Sequence, residues 1–413
     1  MPFRTALSGI NAASAQLQVI GNNVANANTT GFKLSRTEFA DVFAQSNVGS
    51  SADAIGAGVR VSNVTQQFTQ GNIDFTDNGL DVAINGNGFF QLSDAGTGAT
   101  VYSRDGAFSV DADGFIVNSR GDQLLARGSD GTGGITANVG GIQVTTSSQT
   151  PTPTSRIELG LNLDASAAVP AVTPFDPTNP STFNSTTSLT LFDSQGSSHL
   201  ATTYYVKTGD NAWQTHLFIG GNRVTETAPA TGAITFNNNG TVATPANGEI
   251  AYDAFTVSGS ADPLSLTLDY TGTGASSTQF GSAFAVDSLN QNGFPPGQLT
   301  GIDIGSDGIV LARFSNGQSN ALGQIELANF DNPQGLRQLG NNTWVESADS
   351  GVAQPNEPGV GGVGLLQSGA LEGSNVDITE ELVSIISAQR NFQANAEVIT
   401  TADTLTQTII NIR

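Results

Sequence analysis

The chain contains no cysteine, and this absence excludes disulfide bonds, zinc–thiolate sites and thiol nucleophiles. Histidine is nearly as scarce, because His199 and His216 are the only two in 413 residues. Neither lies near a paired acid cluster in the sequence, so few residues could form a metal triad or a Ser-His-Asp site. The G-x-S-x-G nucleophile elbow and the G-K-[ST] phosphate loop are also missing. Packing and hydrogen bonding must therefore hold the fold together.

Positive charge and long apolar runs are also lacking. The chain has only 14 Lys and Arg residues against 36 Asp and Glu residues, which gives a formal net charge of −22. Lys33 and Lys207 are the only lysines. Neutralising phosphate requires clustered Lys and Arg, so we expect no nucleic-acid partner. No stretch approaches about 18 apolar residues, and the amino terminus lacks the apolar core of a secretory signal. We therefore expect neither membrane insertion nor a cleaved Sec signal peptide.

What the chain does contain favours β structure in its middle. Hydrophobic residues make up 38% and charged residues 12%, and 49 glycines accompany many Thr, Ser and Asn. Leu80, Val82 and Ile84 alternate as in a strand, and a second strand is predicted at Phe89. Hairpin turns are expected at Asn85-Gly86, Asp105-Gly106, Asp113-Gly114, Asn239-Gly240, Asn292-Gly293, Asp307-Gly308 and Asn316-Gly317.

Shifts in composition divide this β region. A low-complexity stretch at 129–154, a proline-rich run at 170–180 and a break near 290–296 indicate boundaries or long loops. The predicted fold class is mainly β with α-helical ends: two all-β domains, one inserted in the other, plus a coiled-coil region of N- and C-terminal helices. The predicted domains are a helix and linker at 1–75, a first β domain at 76–152 and 289–362, an inserted β domain at 153–288, and a C-terminal helical segment at 363–413.

Both chain ends show the three-four spacing of amphipathic helices. The first should run for about 25 residues and end near Ala27, and the last should begin near Val376 and run for about 35. Isolated helices of this kind are marginal in water, and these have nothing local to pack against. We therefore predict that they pair with each other or with neighbouring chains. The residues expected to make these assembly contacts are Leu7, Ile10, Leu17, Ile20, Val24, Leu382, Ile385, Phe392, Ile399, Leu405 and Ile409.

A polar motif follows the first helix. It consists of Asn22, Asn23, Asn26, Gly31 and Phe32, and the asparagines and glycine are poor helix formers that tolerate left-handed backbone. We expect the asparagines to satisfy backbone groups where the chain leaves the helix. An ordinary C-terminal cap would explain them as well.

Two motifs suggest ligand sites but favour a structural explanation. Residues 359–364 match G-x-G-x-x-G, but the preceding Ala-Gln-Pro-Asn-Glu-Pro is unsuited to a buried strand, so a linker is favoured. Residues 111–114 begin like a calcium loop but lack the remaining ligands, so a hairpin turn is favoured. A glycosidase-like carboxylate pair is conceivable among so many acids, although dispersed acids usually solvate a surface. We expect no enzyme activity, catalytic residue, cofactor or metal.

The two ends resemble a known family. Residues 7–14 and 19–33 resemble the amino-terminal signature of bacterial flagellar rod and hook proteins, and residues 369–396 resemble the carboxyl-terminal signature. Residues 79–90 and 102–108 are similar to the first β domain that rod and hook proteins share. The segments 191–199, 290–299 and 322–330 resemble the hook members of this family.

The resemblance implies a structural subunit that assembles with itself into the curved, flexible tube of the hook, a universal joint transmitting torque from rod to filament. The terminal helices would line a secretion channel, with the first β domain outside them and the inserted domain outermost. A head-to-tail interface that does not close would generate such a tube. Compliance is expected in the linkers at 28–75 and 355–370 and in the interdomain hinges near 150 and 289.

The resemblance also implies partners and a location. The partners would be the distal rod protein, the hook cap, the hook–filament junction proteins and the flagellar type III export apparatus. The location would be the flagellum outside the cell envelope, reached without cleavage of a signal peptide. Two alternatives remain open: a distal rod protein of the same family, and a secreted calcium-binding adhesin from a different class.

Overall fold

The structure is a computed structural model that describes residues 2–42, 56–130, 133–144, 148–228, 231–257, 261–272 and 276–411. The chain forms two compact units. The first unit comprises residues 1–146, 300–313 and 319–413, and the second comprises residues 147–299 and 314–318. The chain therefore passes between units near 146 and 300, whereas the domain limits at 152/153 and 288/289 stay sequence predictions.

Two long helices occupy the ends of the first unit, α1 at Pro2–Ala25 and α2 at Ile378–Asn411. The Asp377 carboxylate caps α2, since Oδ1 accepts a hydrogen bond from Thr379 N at 2.7 Å. Glu380 and Glu381 in the first turn favour the same helix end, where the backbone dipole is positive. The predicted helices at both chain ends are confirmed.

The first unit also contains strands from both halves of the chain. Its largest sheet has the order β22-β23-β24-β9-β5-β6-β27-β26, so strands that precede and follow the second unit lie side by side. Smaller two-stranded sheets join β1 to β2, β3 to β30 and β4 to β29. The strands are β1 Ser35–Asp41, β2 Val59–Gln66, β3 Ile73–Phe75, β4 Val82–Asn85, β5 Phe89–Ser93, β6 Thr100–Ser103, β7 Ser109–Val110, β8 Ile116–Val117, β9 Gln123–Ser129, β10 Ile135–Gly141, β22 Leu299–Ile304, β23 Ile309–Phe314, β24 Ser319–Ile325, β25 Leu327–Asn329, β26 Arg337–Gly340, β27 Thr343–Val345, β28 Gln354–Asn356, β29 Leu365–Ser368 and β30 Ala370–Glu372, with a 3₁₀ turn at Pro333–Gly335.

An aromatic cluster forms part of the core of the first unit. Phe89 contacts Phe68 and Phe330 edge to face, with ring centroids 5.4 and 5.7 Å apart. Trp344 is fully buried in the same cluster, and its Nε1 donates to Gln66 Oε1 at 2.5 Å. Because Gln66 ends β2, this bond ties the small β1–β2 sheet to the large sheet.

The second unit consists mainly of two sheets around one core. One sheet has the order β18-β19-β11-β20 with β21 beside β11, and the other has the order β12-β13-β14-β16-β17 with β15 beside β14. Leu159 and Leu161 from the first sheet and Tyr205 and Trp213 from the second lie in this core. The strands are β11 Arg156–Asp164, β12 Ser185–Phe192, β13 Ser198–Gly209, β14 Ala212–Ile219, β15 Asn222–Val224, β16 Ala233–Phe236, β17 Val242–Thr244, β18 Glu249–Ala251, β19 Thr267–Asp269, β20 Thr278–Phe280 and β21 Ala285–Gln291, with a 3₁₀ turn at Pro180–Thr182.

Several predicted hairpin turns are confirmed. Asp113-Gly114 joins the paired strands β7 and β8, and Asn239-Gly240 joins β16 and β17. Asp307-Gly308 and Asn316-Gly317 lie between β22, β23 and β24, which are neighbours in the large sheet. Each of these glycines has a positive φ between 81° and 86°, the conformation that glycine adopts at no steric cost. Asp111 Oδ1 accepts from Phe115 N at 2.7 Å, so the calcium-like motif serves as a turn.

Three other predicted hairpins were wrong. Asn85-Gly86 does not join a hairpin, because β4 pairs with β29 and β5 pairs with β6. Gly106 allows two segments to approach closely, since a Cβ there would lie 1.7 Å from Val82 O. Asn292 does not form a hairpin turn but bonds to the start of β11, where its Oδ1 accepts from Ser155 N and Arg156 N, each at 3.0 Å. These Asn-Gly and Asp-Gly pairs make long-range contacts that no local pattern encodes.

The two predicted linkers contain regular structure. The segment 28–75 contains β1, β2 and β3, and the segment 355–370 contains β29 and parts of β28 and β30. A two-stranded sheet is marginal in isolation. Here β1 and β2 pack against α1, which explains why their own sequence did not predict them.

Candidate assembly surface

The two terminal helices pack against each other in antiparallel directions. Gly9 lies against Asn395, where a Cβ would approach Oδ1 to 2.4 Å. Asn23 lies near the start of α2, and its Nδ2 donates to Glu381 Oε2 at 3.2 Å. At about 1.5 Å per residue, these two contacts place α1 beside α2 as far as about Ala402. The last turns of α2 therefore extend beyond the beginning of α1.

Small side chains form much of the contact between these helices. Ala6, Ala13 and Ile20 are buried on α1, and Ala388 and Ala402 are buried on α2. Small residues let two helix backbones approach closely. Of the residues predicted for assembly, Ile20 lies on this face, whereas Leu7 lies one residue beyond Ala6, which is about 100° around the helix.

The predicted assembly residues consequently differ in burial. Ile20 is buried, whereas Ile10, Leu17, Val24, Ile385 and Ile399 are partly buried and Leu7, Leu382, Phe392 and Leu405 are exposed. The side chain of Ile409 lies outside the described part of the chain. One chain therefore brings together only some of these residues, and contacts between chains stay a prediction.

The surface of α2 is apolar on more faces than one chain covers. Besides the predicted residues, Val383 is 60% exposed, Ile386 49%, Val398 46% and Ile410 66%. Large apolar side chains on several faces of one helix are normally buried against a partner. Within the described residues, α1 covers one face of α2 and leaves these side chains in water.

The asparagines of the polar motif after α1 have two different roles. Asn26 caps the helix, because its Nδ2 donates to the carbonyl oxygen of Asn22 at 2.9 Å. Asn23 is buried and joins three elements: its Nδ2 donates to Ser35 O at 2.8 Å and to Glu381, and its Oδ1 accepts from Ser35 N at 3.0 Å. Asn23 therefore fixes the start of β1 against both helices, and Asn22 and Asn26 end α1.

A buried ion cluster lies just beyond this motif. Glu372 contacts both Lys33, with 2.6 Å between Nζ and Oε1, and Arg104, with 3.1 Å between Nη1 and Oε2. The side chains of Lys33 and Glu372 are fully buried and that of Arg104 is 2% exposed. The three residues come from the N-terminal segment, the first β region and the C-terminal segment. We call this group the ion cluster.

Backbone groups complete the ion cluster. Lys33 Nζ donates to Thr69 O and Arg104 Nη2 donates to Gly86 O, each at 2.8 Å. Gly71 N donates to Glu372 Oε1 at 2.9 Å. Burial lowers the pKa values of Lys33 and Arg104, and the Glu372 carboxylate opposes both shifts. Two cations thus share one carboxylate and two carbonyl oxygens, whereas Arg104 Nε is buried without a hydrogen-bond partner among the described residues.

Gly31, Phe32 and Asn375 surround the ion cluster. Gly31 has a φ of +69°, and a Cβ there would lie 2.6 Å from Asp105 N, so this position requires glycine. Phe32 is buried. Asn375 Oδ1 accepts from Leu34 N at 2.7 Å, and its Nδ2 donates to Gln67 O at 2.8 Å. These bonds fasten the segments that follow α1 and precede α2 to each other.

Sequence reasoning missed the ion cluster and Asn375. Lys33 carried a signal, because it is one of two lysines and stands in an apolar context between Phe32 and Leu34. A lysine that is buried requires acceptors for its ammonium group, and a carboxylate is the strongest of these. Nothing in the sequence identified Glu372, which is 339 positions away.

The part of the chain that the structure describes contains no group of three or more His, Cys, Asp or Glu residues placed to hold a metal ion. Within the same residues, no helix combines the length and the apolar character needed to cross a membrane.

Models of four protein families match successive parts of the chain. The flagella basal body rod protein model matches residues 3–33, and the flagellar basal body rod FlgEFG protein C-terminal model matches residues 367–412. Between them, the flagellar hook protein FlgE/F/G D1 domain matches residues 83–155, and the flagellar basal body protein FlaE D2 domain matches residues 162–294. These matches define the class of the chain as a flagellar rod or hook protein.

Comparison with full-length relatives identifies one family within this class. The chain is 41% identical to the flagellar hook protein FlgE of Escherichia coli over 420 residues and 35% identical to that of Rhizobium meliloti over 421 residues. All of this chain is covered, with 100% and 98% of the two relatives. The chain belongs to the flagellar hook protein FlgE family.

A solved structure has a similar fold. The crystal structure of Helicobacter pylori flagellar hook protein FlgE2 superposes with a TM-score of 0.54 at 12% identity, covering 72% of this chain and 100% of that one. The predicted fold class and the family resemblance are confirmed. The comparisons support a hook subunit, and none of them supports the adhesin alternative.

Proposed function

We propose that this chain is a structural subunit of the bacterial flagellar hook that assembles with copies of itself into a curved, flexible tube. The observation that carries the proposal is the apolar surface of α2, which one chain leaves largely uncovered. In a tube with the helices innermost, neighbouring subunits bury this surface and leave the polar β sheets outside. The energy of association then comes from the helical layer.

The tube remains open because the interface is head-to-tail. A heterologous contact that does not close on itself repeats one subunit along a helix. Packing between Leu382, Phe392 and Leu405 of neighbouring subunits belongs to this layer. Leu7, Ile10, Leu17, Ile20, Val24, Ile385, Ile399 and Ile409 complete the proposed assembly set.

Torque passes from the helical layer to the sheets through the ion cluster in this proposal. Three chain segments meet there in buried hydrogen bonds, which favours a stiff joint at Lys33, Arg104 and Glu372. The compliance of a universal joint then lies elsewhere, and we place it at the predicted interdomain hinges near 150 and 289. We no longer place it in the two predicted linkers, because their described residues include strands β1, β2, β3 and β29.

Family membership supports a proposal for location and partners. We propose that the subunit lies outside the cell envelope in the hook and is exported through the flagellar type III apparatus without cleavage. The distal rod protein, the hook cap and the hook–filament junction proteins are its proposed neighbours. The proposed role is structural, without catalysis.

Electron microscopy of sheared appendages tests this proposal. Antibody against the purified chain should label short curved tubes between filament and cell body. Label on a straight rod segment would favour the distal rod alternative. Unlabelled flagella would contradict the assignment to either structure.

A further inference from the structure

A cleft lies at one end of the helix pair, in the first unit. It has a volume of about 580 Å³ and is bounded by α1, the β1 segment and the first turns of α2. Val19, Ile20, Leu34 and Phe39 supply its apolar lining, and the other lining residues are polar, with charges on Arg36, Glu380 and Glu381. Arg36 and Glu380 are exposed, and neither forms an ion pair with another described residue.

The other end of the helix pair projects beyond its partner. Residues 403–411 of α2 extend past the beginning of α1, and we call them the overhang. Leu405 is 60% exposed and Ile410 is 66% exposed on this segment. Arg4, the only charged residue of α1, lies within about a turn of the overhang. Arg4 also has no ion-pair partner in the described part of the chain.

The two ends are complementary in charge. The cleft end presents Glu380 and Arg36, whereas the overhang end presents Arg4 and Asp403, so each of these charges has one of opposite sign at the other end. The lining of the cleft is mixed, and its apolar side chains offer a contact surface to Leu405 and Ile410. Contact between opposite ends of identical subunits repeats without closing, which a two-fold contact does not do.

We propose that the cleft of one subunit receives the overhang of a second copy of this chain, with Leu405 and Ile410 on its apolar lining and Arg4 beside Glu380. This contact rests on the proposed function, for which it supplies the head-to-tail step. The overhang of the same chain is excluded, because Leu405 follows Ser384 by 21 residues of helix, which is about 32 Å. A second subunit is thus required to fill the cleft.

Charge exchange tests the contact in the full-length chain. Arg4→Glu and Glu380→Lys should each raise the monomer concentration needed for tube formation by about tenfold, because each places like charges together. The double variant should return that concentration to within about threefold of the parent. The matched control combines Arg4→Glu with Asp77→Lys, an exposed acid outside the cleft, and should not restore assembly.

The outcomes separate this contact from the proposed function. Single variants that assemble like the parent, or a double variant no better than the singles, would overturn the contact while leaving tube formation intact. A parent chain that forms no tubes under any condition would overturn the proposed function and the contact with it.

The absence of cysteine permits a second test. Gln16 lines the cleft and Thr408 lies on the overhang, about 30 Å apart along the helices of one chain, which is too far for a disulfide. Tubes of the Gln16→Cys, Thr408→Cys chain should oxidise to a ladder of covalent multimers on a non-reducing gel. The Asp77→Cys, Thr408→Cys chain should not. Monomers alone from oxidised Gln16→Cys, Thr408→Cys tubes would refute the docking.

Discussion

Both lysines of this acidic chain are buried, so neither contributes to its surface charge. Lys33 lies in the ion cluster, and Lys207, 6% exposed, donates to Ala165 O at 2.6 Å and Ala167 O at 2.9 Å. A buried ammonium is costly unless acceptors surround it. Both lysines therefore stabilise the interior of the fold and are unavailable for binding at the surface.

Charge balance in the ion cluster predicts unequal effects of removing its members. Glu372→Gln leaves two buried cations without a carboxylate and should lower the free energy of unfolding of the first unit by about 3–5 kcal/mol. Lys33→Met leaves the Arg104–Glu372 pair intact and should cost about 1–2 kcal/mol. Urea unfolding followed by tryptophan fluorescence measures both losses. In a Trp213→Phe background, Trp344 is the only tryptophan and reports the unfolding of the first unit alone. Equal losses for both variants would contradict this description of the cluster.

His216 makes the second unit sensitive to acid. Burial, aided by the charge of Arg223, lowers the pKa of its imidazole from 6.5 to about 4. The ring stacks on Phe175 with centroids 4.2 Å apart, and Nδ1 has no hydrogen-bond partner among the described residues. Between these pH values the unfolded chain binds the proton and the folded chain does not, so stability falls as pH falls.

The expected loss on going from pH 7 to pH 4 is about 2–3 kcal/mol from this group, and it levels off below pH 4 as the folded imidazole also becomes protonated. Unfolding followed through Trp213 should show the decline, and His216→Phe should reduce it. His199→Gln is the control, and it also assigns the two imidazole signals in an NMR titration. A His216 signal that titrates near pH 6.5 would contradict the prediction.

At the scale of elements, the close packing of α1 and α2 depends on a small residue at Gly9. A Cβ there would lie 2.4 Å from Asn395 Oδ1, whereas a Cβ at Gly21 would meet no atom within 4 Å. Gly9→Val should separate the helices and destabilise their pairing by about 1–3 kcal/mol. In the monomer, Gly21→Ala should instead stabilise α1 by up to about 1 kcal/mol.

Amide hydrogen exchange in α1 measures both effects. Gly9→Val should reduce protection along the helix, and Gly21→Ala should preserve or increase it. Identical protection in the two variants would mean that the contact between Gly9 and Asn395 does not control the pairing.

At the scale of the whole molecule, α1 is separable from the large sheets. Deleting residues 1–30 removes α1 and the packing surface of the small β1–β2 sheet, but it retains the ion cluster and the larger sheets of both units, so these parts should fold. The truncated chain should fail to form tubes, because the helical layer has lost one of its two helices. Circular dichroism checks that the truncated chain folds, and electron microscopy checks that it forms no tubes. Tubes formed by the truncated chain would contradict the assignment of assembly to the helices.

Local pattern was sufficient for the features that depend on neighbouring residues. The three-four spacing of apolar residues predicted both helices, and Asp113-Gly114 and Asn316-Gly317 predicted tight turns, because helix faces and turn dihedrals are set within a few positions. The absence of cysteine likewise excluded disulfides and thiol chemistry, and the scarcity of cations predicted that the chain has no nucleic-acid partner.

Tertiary structure decided what depends on residues far apart. Glu372 meets Lys33 across 339 positions, and Gly106 and Gly86 permit close approaches between segments rather than hairpins. The buried face of α1 follows Ala6 and Ala13 rather than the bulkier stripe beginning at Leu7, because close packing against α2 selects small side chains. Composition and periodicity determined that this protein has helical ends around a β middle. Only the folded chain determined which groups join those ends to the sheets, since burial of charge and contact between backbones arise when distant segments meet.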